Sequence, residues 1–271
     1  MISASDFQYV CDLVRKNSAI VLEQGKDYLV EARLAPVARA EGFDSISSLV
    51  TKLRGTPKNG LHQAVVEALT TNETSFFRDV HPFELLKKEV LPDVIQRRGR
   101  ERTLSIWSAA CSTGQEPFTI SMLLRESFPE LSSWKVSILA TDLSSQVLER
   151  AKTGTFKQLE VNRGLPAAYL VKYMERAGAE WRVRADIRSM VEFRQMNLIE
   201  SWPTLPVFDV IFIRNVLIYF DLDTKREILR RAKGRLDPRG YLFLGGAETT
   251  LNIDDGFERA FAQSGGCYKL K

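Results

Sequence analysis

The chain has 271 residues, enough for one large domain or two modest ones. With 44% hydrophobic and 27% charged residues, ordinary burial supplies a sizeable core, and a net charge of +4 is too small and too dispersed to imply nucleic acid. Three cysteines and two histidines (His62, His81) show no CxxC or other metal-ligand spacing, so no metal is expected.

The odd cysteine count, without a disulfide framework, fits a reducing compartment. The start, Met1 to Asp6, has no basic residue followed by an apolar run, so no secretory leader is expected. No stretch of 18 apolar residues exists to span a membrane.

Residues 1–75 read as an all-α domain. Ser5 or Asp6 caps a helix whose apolar face carries Phe7, Val10, Cys11 and Val14. A second helix runs from Lys26 to Arg39, with Pro36 expected to bend it or to start a new turn. Ser45 to Arg54 is a third, and Leu61 to Leu69 a fourth, after the break Gly55–Gly60. Charges in this domain balance, yet Arg33, Arg39, Lys52, Arg54 and Lys58 are candidates for one basic face. For each of them a solvated surface is the plain alternative.

Next comes Thr70-Thr71-Asn72-Glu73-Thr74-Ser75-Phe76-Phe77-Arg78-Asp79, which has neither helical nor strand period. Residues 76–102 read as a linker and connecting helix. The helix covers Phe83 to Arg97 with Pro92 interrupting, and Arg97-Arg98-Gly99-Arg100-Glu101-Arg102 reads as a solvated linker.

From 103 to 271 strands and helices alternate, as in a parallel sheet. Strands fall at 104–107, 136–141, 208–213 and 240–244, and helices at 117–128, 144–152 and 223–235. Near-continuous apolar strands indicate a sheet covered on both faces. Cys267 to Leu270 reads as an edge strand. Between about 155 and 196 the alternation breaks. Tyr169 to Met174 reads as helical, while Glu180–Arg184 and Met190–Arg194 alternate like a small antiparallel pair. The fold class is α/β: a Rossmann-like sheet with helices on both faces, a small antiparallel β insertion and an all-α N-terminal domain.

The chemistry centres on Trp107-Ser108-Ala109-Ala110-Cys111-Ser112-Thr113-Gly114-Gln115-Glu116-Pro117, a strand, a small-residue turn and a helix start. It lacks G-x-G-x-x-G, which argues against a pyrophosphate on the helix N-terminus. Glu116 is either a first-turn acid favourable to the helix dipole or a carboxylate near a cationic ligand. Asp142 ends the second strand, where such an acid accepts hydrogen bonds from ribose hydroxyls, or it caps the next helix. Arg214 and Asn215 follow a core strand and must face the crevice or be tied up by hydrogen bonds. Tyr219 is a candidate at the same end, or a core aromatic. Asn197 and Leu198 lie near the same rim, and Glu248 is a further rim acid.

Thr71–Arg78, the Ser108–Pro117 loop, Ala140-Thr141-Asp142, Val191-Glu192-Phe193 with Asn197-Leu198, and Arg214–Phe220 occur in one order. Together they resemble the chemotaxis receptor glutamate O-methyltransferases, the CheR family, over nearly the whole chain. The resemblance implies a class I methyltransferase domain that uses S-adenosylmethionine to methylate glutamate side chains of methyl-accepting chemotaxis receptors. It implies cofactor contacts from Asn72, Thr74, Arg78, Gly114, Glu116, Asp142, Asn197, Leu198, Asn215 and Val216, with Arg78 and Tyr219 beside the reacting centre. It further implies a cytoplasmic monomer, recruited to receptor arrays without entering the membrane, that binds the acidic methylation helices and no nucleic acid.

There are departures from the family pattern. Gln115 stands where many members carry Glu, and Gly246-Ala247-Glu248 where a Gly-His-Ser-Glu run is common. The turn around Ala177-Gly178-Ala179 is short beside members that dock a receptor tail peptide, so a tail-independent enzyme is expected. The alternatives are a nicotinamide-dependent dehydrogenase, disfavoured by the missing glycine fingerprint, and a non-catalytic S-adenosylmethionine-binding module.

Overall fold

The computed structural model describes residues 2–261 and 266–271. Its contacts divide into two compact units. One ends at Thr71 and also takes in Tyr219–Thr224; the other holds Asn72–Ile218 and Lys225–Lys271.

The smaller unit contains α1 (Ala4–Ser18), α2 (Asp27–Ala40), α3 (Ile46–Arg54) and α4 (Gly60–Ala68). Val10, Val14, Val30, Leu34, Leu49, Leu53, Val65 and Leu69 form its core, each at helical spacing on its own element. The cap of α1 is Ser3, whose Oγ accepts the Asp6 N–H at 3.1 Å, rather than Ser5 or Asp6. Asp6 instead accepts from Ser47 and Arg54. α2 runs through Pro36 without ending.

In the larger unit α5 (His81–Leu85), a π-turn (Leu86–Val90) and α6 (Leu91–Arg98) follow one another as a continuous helical rod. The wide turn leaves a carbonyl without an α-helical donor, and Pro92, which has no N–H, falls just after it. Phe83, Val90 and Val94 are buried with sheet residues such as Ile106, Val210 and Phe212. Of the basic run at its end, Gly99–Arg102 form an exposed turn as expected, but Arg97 and Arg98 are not solvated. Arg97 pairs with Asp93 at 2.9 Å, and Arg98 pairs with Asp209 at 2.8 Å and Asp237 at 2.7 Å.

The chain continues through β1 (Thr103–Ala109), α7 (Gln115–Ser127), β2 (Lys135–Asp142), α8 (Ser145–Thr153), β3 (Thr155–Phe156), α9 (Gln158–Asn162) and α10 (Ala167–Tyr173). Then come β4 (Met174–Ala177), β5 (Glu180–Val183), α11 (Ala185–Arg188), β6 (Val191–Gln195), β7 (Phe208–Ile213), α12 (Leu222–Lys233), β8 (Leu236–Leu244), β9 (Phe257–Arg259) and β10 (Cys267–Leu270). Seven strands form one sheet in the order β6-β2-β1-β7-β8-β10-β9. The first five are parallel, and β10 runs antiparallel to β8 and β9.

The insertion differs from the sequence expectation in its pairing. β5 pairs antiparallel with β3 and β4, whereas the Met190–Arg194 segment supplies β6, which pairs parallel with β2 at the edge of the main sheet. Its alternation is that of a strand with one face exposed, and alternation does not name a partner. β10 is likewise not the edge, because β9 covers it.

Strand order reverses between β1 and β7, where Ala109 and Ile213 are register partners. A ligand crevice forms outside the carboxyl ends of strands at such a switch point. The loops that follow β1, β2, β6 and β7 all end there.

Candidate active site

The loop after β1 turns sharply, with positive φ at Ala110 (56°), Ser112 (51°) and Gly114 (95°). Gly114 caps α7, and a Cβ on it would crowd Ala151 and Phe118 at 3.1 Å, so the position requires glycine. Asp142 accepts the Ser112 N–H at 2.8 Å through one oxygen and the Ser144 N–H at 3.0 Å through the other. It therefore holds the loop after β1 and also turns the chain after β2, while Ser144 caps α8 by accepting the Val147 N–H. Gln115 is buried and accepts the Thr113 hydroxyl at 2.7 Å, so the amide at this departure from the family pattern is a loop brace.

The Asn72–Arg78 segment docks on the same loop. Ser112 Oγ donates to the Asn72 carbonyl at 2.8 Å, and the Phe77 N–H donates to Thr119 Oγ1 at 3.2 Å. Phe76 is fully buried, edge-on to Phe156 at 5.0 Å. Asn72 and Thr74 line a cavity of about 680 Å³ with Thr113, Gln115, Gln146 and Arg163. Arg78 is half-buried, and its guanidinium donates to the Glu73 carbonyl at 2.8 Å.

Arg214 is the hub. Its side chain is 1% exposed and reaches Glu116 Oε2 at 2.8 Å, Asp79 Oδ2 at 2.7 Å and the Arg78 carbonyl at 3.0 Å. The other Glu116 oxygen accepts the Ser108 hydroxyl at 2.8 Å. The first-turn acid thus has a fixed cationic partner, and its role goes beyond the helix dipole. Its charge is shared with Asp79 around one arginine, so the hub keeps a negative excess.

Asn215, with φ 58°, follows Arg214 in the loop after β7. Glu248, buried behind that loop, accepts the N–H groups of Asn215 (2.8 Å), Val216 (2.8 Å), Ile218 (3.3 Å) and Gly245 (2.6 Å). Met196 N–H donates to the Asp142 carbonyl at 2.9 Å, which brings Asn197 and Leu198 to the end of β2. Asn197 Oδ1 accepts the Ile199 N–H, and Trp202 Nε1 donates to the Leu198 carbonyl at 3.1 Å.

Asn72, Thr74, Arg78, Gly114, Glu116, Asp142, Asn197, Leu198, Asn215 and Val216 therefore all fall on segments gathered at the strands' carboxyl ends. Tyr219 groups with the smaller unit, where its carbonyl accepts the Val21 N–H at 3.2 Å. Of the basic candidates, Arg33 is committed to the end of α4, donating to the carbonyls of Leu69 (2.9 Å) and Thr70 (2.8 Å). Arg54 lies 3.3 Å from Asp6 and stacks over Tyr9. Arg39, Lys52 and Lys58 are exposed and make no ion pair among the described residues.

Sequence reasoning missed the part played by Glu248, which read only as a rim acid, and it missed Trp202 altogether. It also missed Gly164 (φ 95°), which packs directly on the Phe76 carbonyl. No local pattern marks any of the three.

This sheet order, with an acid ending β2 and no glycine-rich phosphate loop after β1, defines a Rossmann-like methyltransferase domain. Residues 72–265 match the family described as CheR methyltransferase, SAM binding domain, and residues 5–70 match the CheR methyltransferase all-alpha domain. The chain belongs to the CheR methyltransferase family. It is 44% identical over 271 residues to chemotaxis protein methyltransferase 1 of Pseudomonas aeruginosa, covering 98% of both chains. It is 42% identical to chemotaxis protein methyltransferase Cher2 of Pseudomonas putida, with 98% of each covered. To chemotaxis protein methyltransferase 1 of Vibrio cholerae it is 38% identical, covering 100% of this chain and 98% of that one.

Its cofactor is S-adenosylmethionine, and the donor set fits that group. Four carboxylates (Asp79, Glu116, Asp142, Glu248) are gathered with two guanidiniums (Arg78, Arg214), an excess of negative charge suited to a cationic ligand. Among the described residues no group of three or more His, Cys, Asp or Glu is arranged to hold a metal ion, and no helix is long and apolar enough to cross a membrane.

Proposed function

We propose that the chain transfers the methyl group of S-adenosylmethionine to glutamate side-chain carboxylates of chemoreceptors, giving methyl esters. The observation that carries the reading is the state of the clustered acids. Asp142 and Glu248 accept backbone N–H groups, and Glu116 and Asp79 are held by Arg214. His62 is tied to Asn59 and the Leu53 carbonyl. Each of these groups already has a fixed partner within the protein. A nucleophile that arrives already ionised needs no base, and a glutamate with a reference pKa of about 4.3 does so near neutral pH.

The cofactor, when bound, supplies an electrophilic methyl group on a sulfonium. The protein's part is to bind, orient and desolvate. Asp142 and the Asn197–Leu198 segment are assigned the ribose and adenine side, and Gly114, Glu116, Asn215 and Val216 the methionine side. Arg78 orients the incoming carboxylate through its planar fork of donors. Tyr219 takes the second place beside the reacting centre on the resemblance alone.

The partners are the acidic cytoplasmic methylation helices of the receptors, bound by a monomer in the cytoplasm through exposed basic residues of the helical unit, Arg39, Lys52 and Lys58 foremost. Binding then falls steeply with added salt. The β4–β5 turn contains only Gly178 and Ala179 between the strands, which favours recognition without a receptor tail peptide. Calorimetry with a receptor C-terminal pentapeptide is expected to show no binding, and micromolar affinity would remove that part of the proposal.

Labelled methyl transfer to receptor-containing membranes tests the whole. Base-labile label on receptor is expected, because methyl esters hydrolyse in alkali. Base-stable label would exclude glutamate esters, and no transfer beside intact cofactor binding would favour the non-catalytic module.

A further inference from the structure

Beyond the residues assigned to the cofactor, we infer that Glu248 is the positioning residue for the Asn215–Val216 wall of the crevice. This rests on the proposal that the wall lines the cofactor. Glu248 need not touch the ligand; it acts through the backbone.

The need arises from the chain path. After Ile213 the chain leaves the sheet, and Arg214 turns into its buried ion-pair hub. Asn215 then adopts φ 58°, a left-handed conformation that asparagine tolerates better than most non-glycine residues and that the surrounding hydrogen bonds hold in place. The N–H groups of Asn215, Val216 and Ile218 converge in a concave nest of the kind that binds anions. The carboxylate of Glu248 fills it from the protein side at 2.8, 2.8 and 3.3 Å. The same carboxylate takes the Gly245 N–H at the end of β8 (2.6 Å), so the loop is referenced to the neighbouring strand. A turn bond from the Glu248 N–H to the Gly245 carbonyl (2.9 Å) fixes the acid itself.

Glutamine at 248 has the same shape but only one acceptor oxygen, and its amide hydrogens would oppose the N–H groups they meet. Two or more of the four donors then lose their partner. The wall loosens while the strands beneath keep their packing.

The experiment compares wild type, E248Q and N215A as full chains. It measures S-adenosylhomocysteine binding by calorimetry, turnover on receptor membranes and amide exchange by mass spectrometry. For E248Q the dissociation constant is expected to rise about ten- to hundredfold, the cost of buried donors left unsatisfied. Its kcat at saturating cofactor should stay within about threefold of wild type, as lost cofactor binding without lost chemistry requires. Exchange should quicken at residues 214–218 and not in β1 or β2, a local signature that a general loss of stability would not give.

Wild-type affinity in E248Q, with N215A weakened, overturns the inference and leaves the wall standing. Wild-type affinity in N215A overturns the reading of the wall and the inference with it. Should E248Q not fold, wild-type exchange decides: protected amides at 215, 216 and 218 support the inference, and rapid exchange there refutes it.

Discussion

Replacing Arg214 tests whether the ion-pair hub holds the crevice together. The side chain is 1% exposed, and its partner Glu116 is 13% exposed. Arg214→Met keeps most of the volume but strands a nearly buried carboxylate and the Arg78 carbonyl. Breaking a buried pair from one side costs about 3–5 kcal/mol. Asp79 is 49% exposed, so its share adds no more than about 1 kcal/mol. The expected loss is about 4 kcal/mol, read by urea unfolding. Trp107, Trp134, Trp181 and Trp202, the chain's four tryptophans, all lie in the larger unit, so fluorescence follows that unit alone. Adding Glu116→Gln to Arg214→Met should recover a large part of the loss, because the stranded charge is then gone. A single Arg214→Met within about 1 kcal/mol of wild type would refute the reasoning.

Arg78→Ala should lower turnover about a hundredfold with cofactor binding largely kept, the scale expected for one lost orienting donor. Normal turnover with cofactor bound would cancel that assignment. Gly164→Ala combines φ 95° with a Cβ driven into the Phe76 carbonyl; a loss of at least about 2 kcal/mol is expected by thermal unfolding, and a neutral effect would mean that the insertion does not pack there. Burial pushes the Cys267 thiol up to about 12 and the Cys111 thiol well above its ordinary value. Their protonated forms are favoured in the folded chain, so this contribution is full below about pH 9 and is lost as pH rises towards 12. Unfolding midpoints measured from pH 8 to 11 should fall, and should fall less in Cys267→Ala; equal slopes would count against the burial argument.

How much was legible in the sequence depended on distance along the chain. β1, β2, β7 and β8 were readable because each is a short apolar run bounded by breaks, as strands covered on both faces must be. The ends of those strands marked the candidate site, since Asp142, Arg214 and Asn215 are polar residues that a core strand cannot simply absorb. Misreadings came where the partner is remote. Arg98 reads as solvated until Asp209 and Asp237 are brought to it from 111 and 139 residues away. β6 alternates as expected, yet nothing local tells it to pair parallel with β2. Glu248 serves N–H groups more than 25 residues earlier, and a backbone donor leaves no mark in the sequence.

The missing glycine fingerprint acquires a physical meaning from these same bonds. In a phosphate-binding crevice the N–H groups of the turns point at the ligand, and glycines let it come close. Here the corresponding N–H groups have acceptors within the protein: Ser112 gives to Asp142, and Asn215 and Val216 give to Glu248. An anionic ligand would have to displace a carboxylate from each turn and then sit among those that remain. A cationic one gains from every acid that shapes the loops, and Arg214, holding two of them, leaves the balance negative. The acids that build the crevice thereby also select the charge of what enters it, so loop geometry and ligand preference are tied to the same side chains. On the proposed function, a substitution that neutralises Glu116 or Asp142 is expected to change both at once, whereas Arg78→Ala, which gives up the bond to the Glu73 carbonyl, is expected to act on the incoming carboxylate.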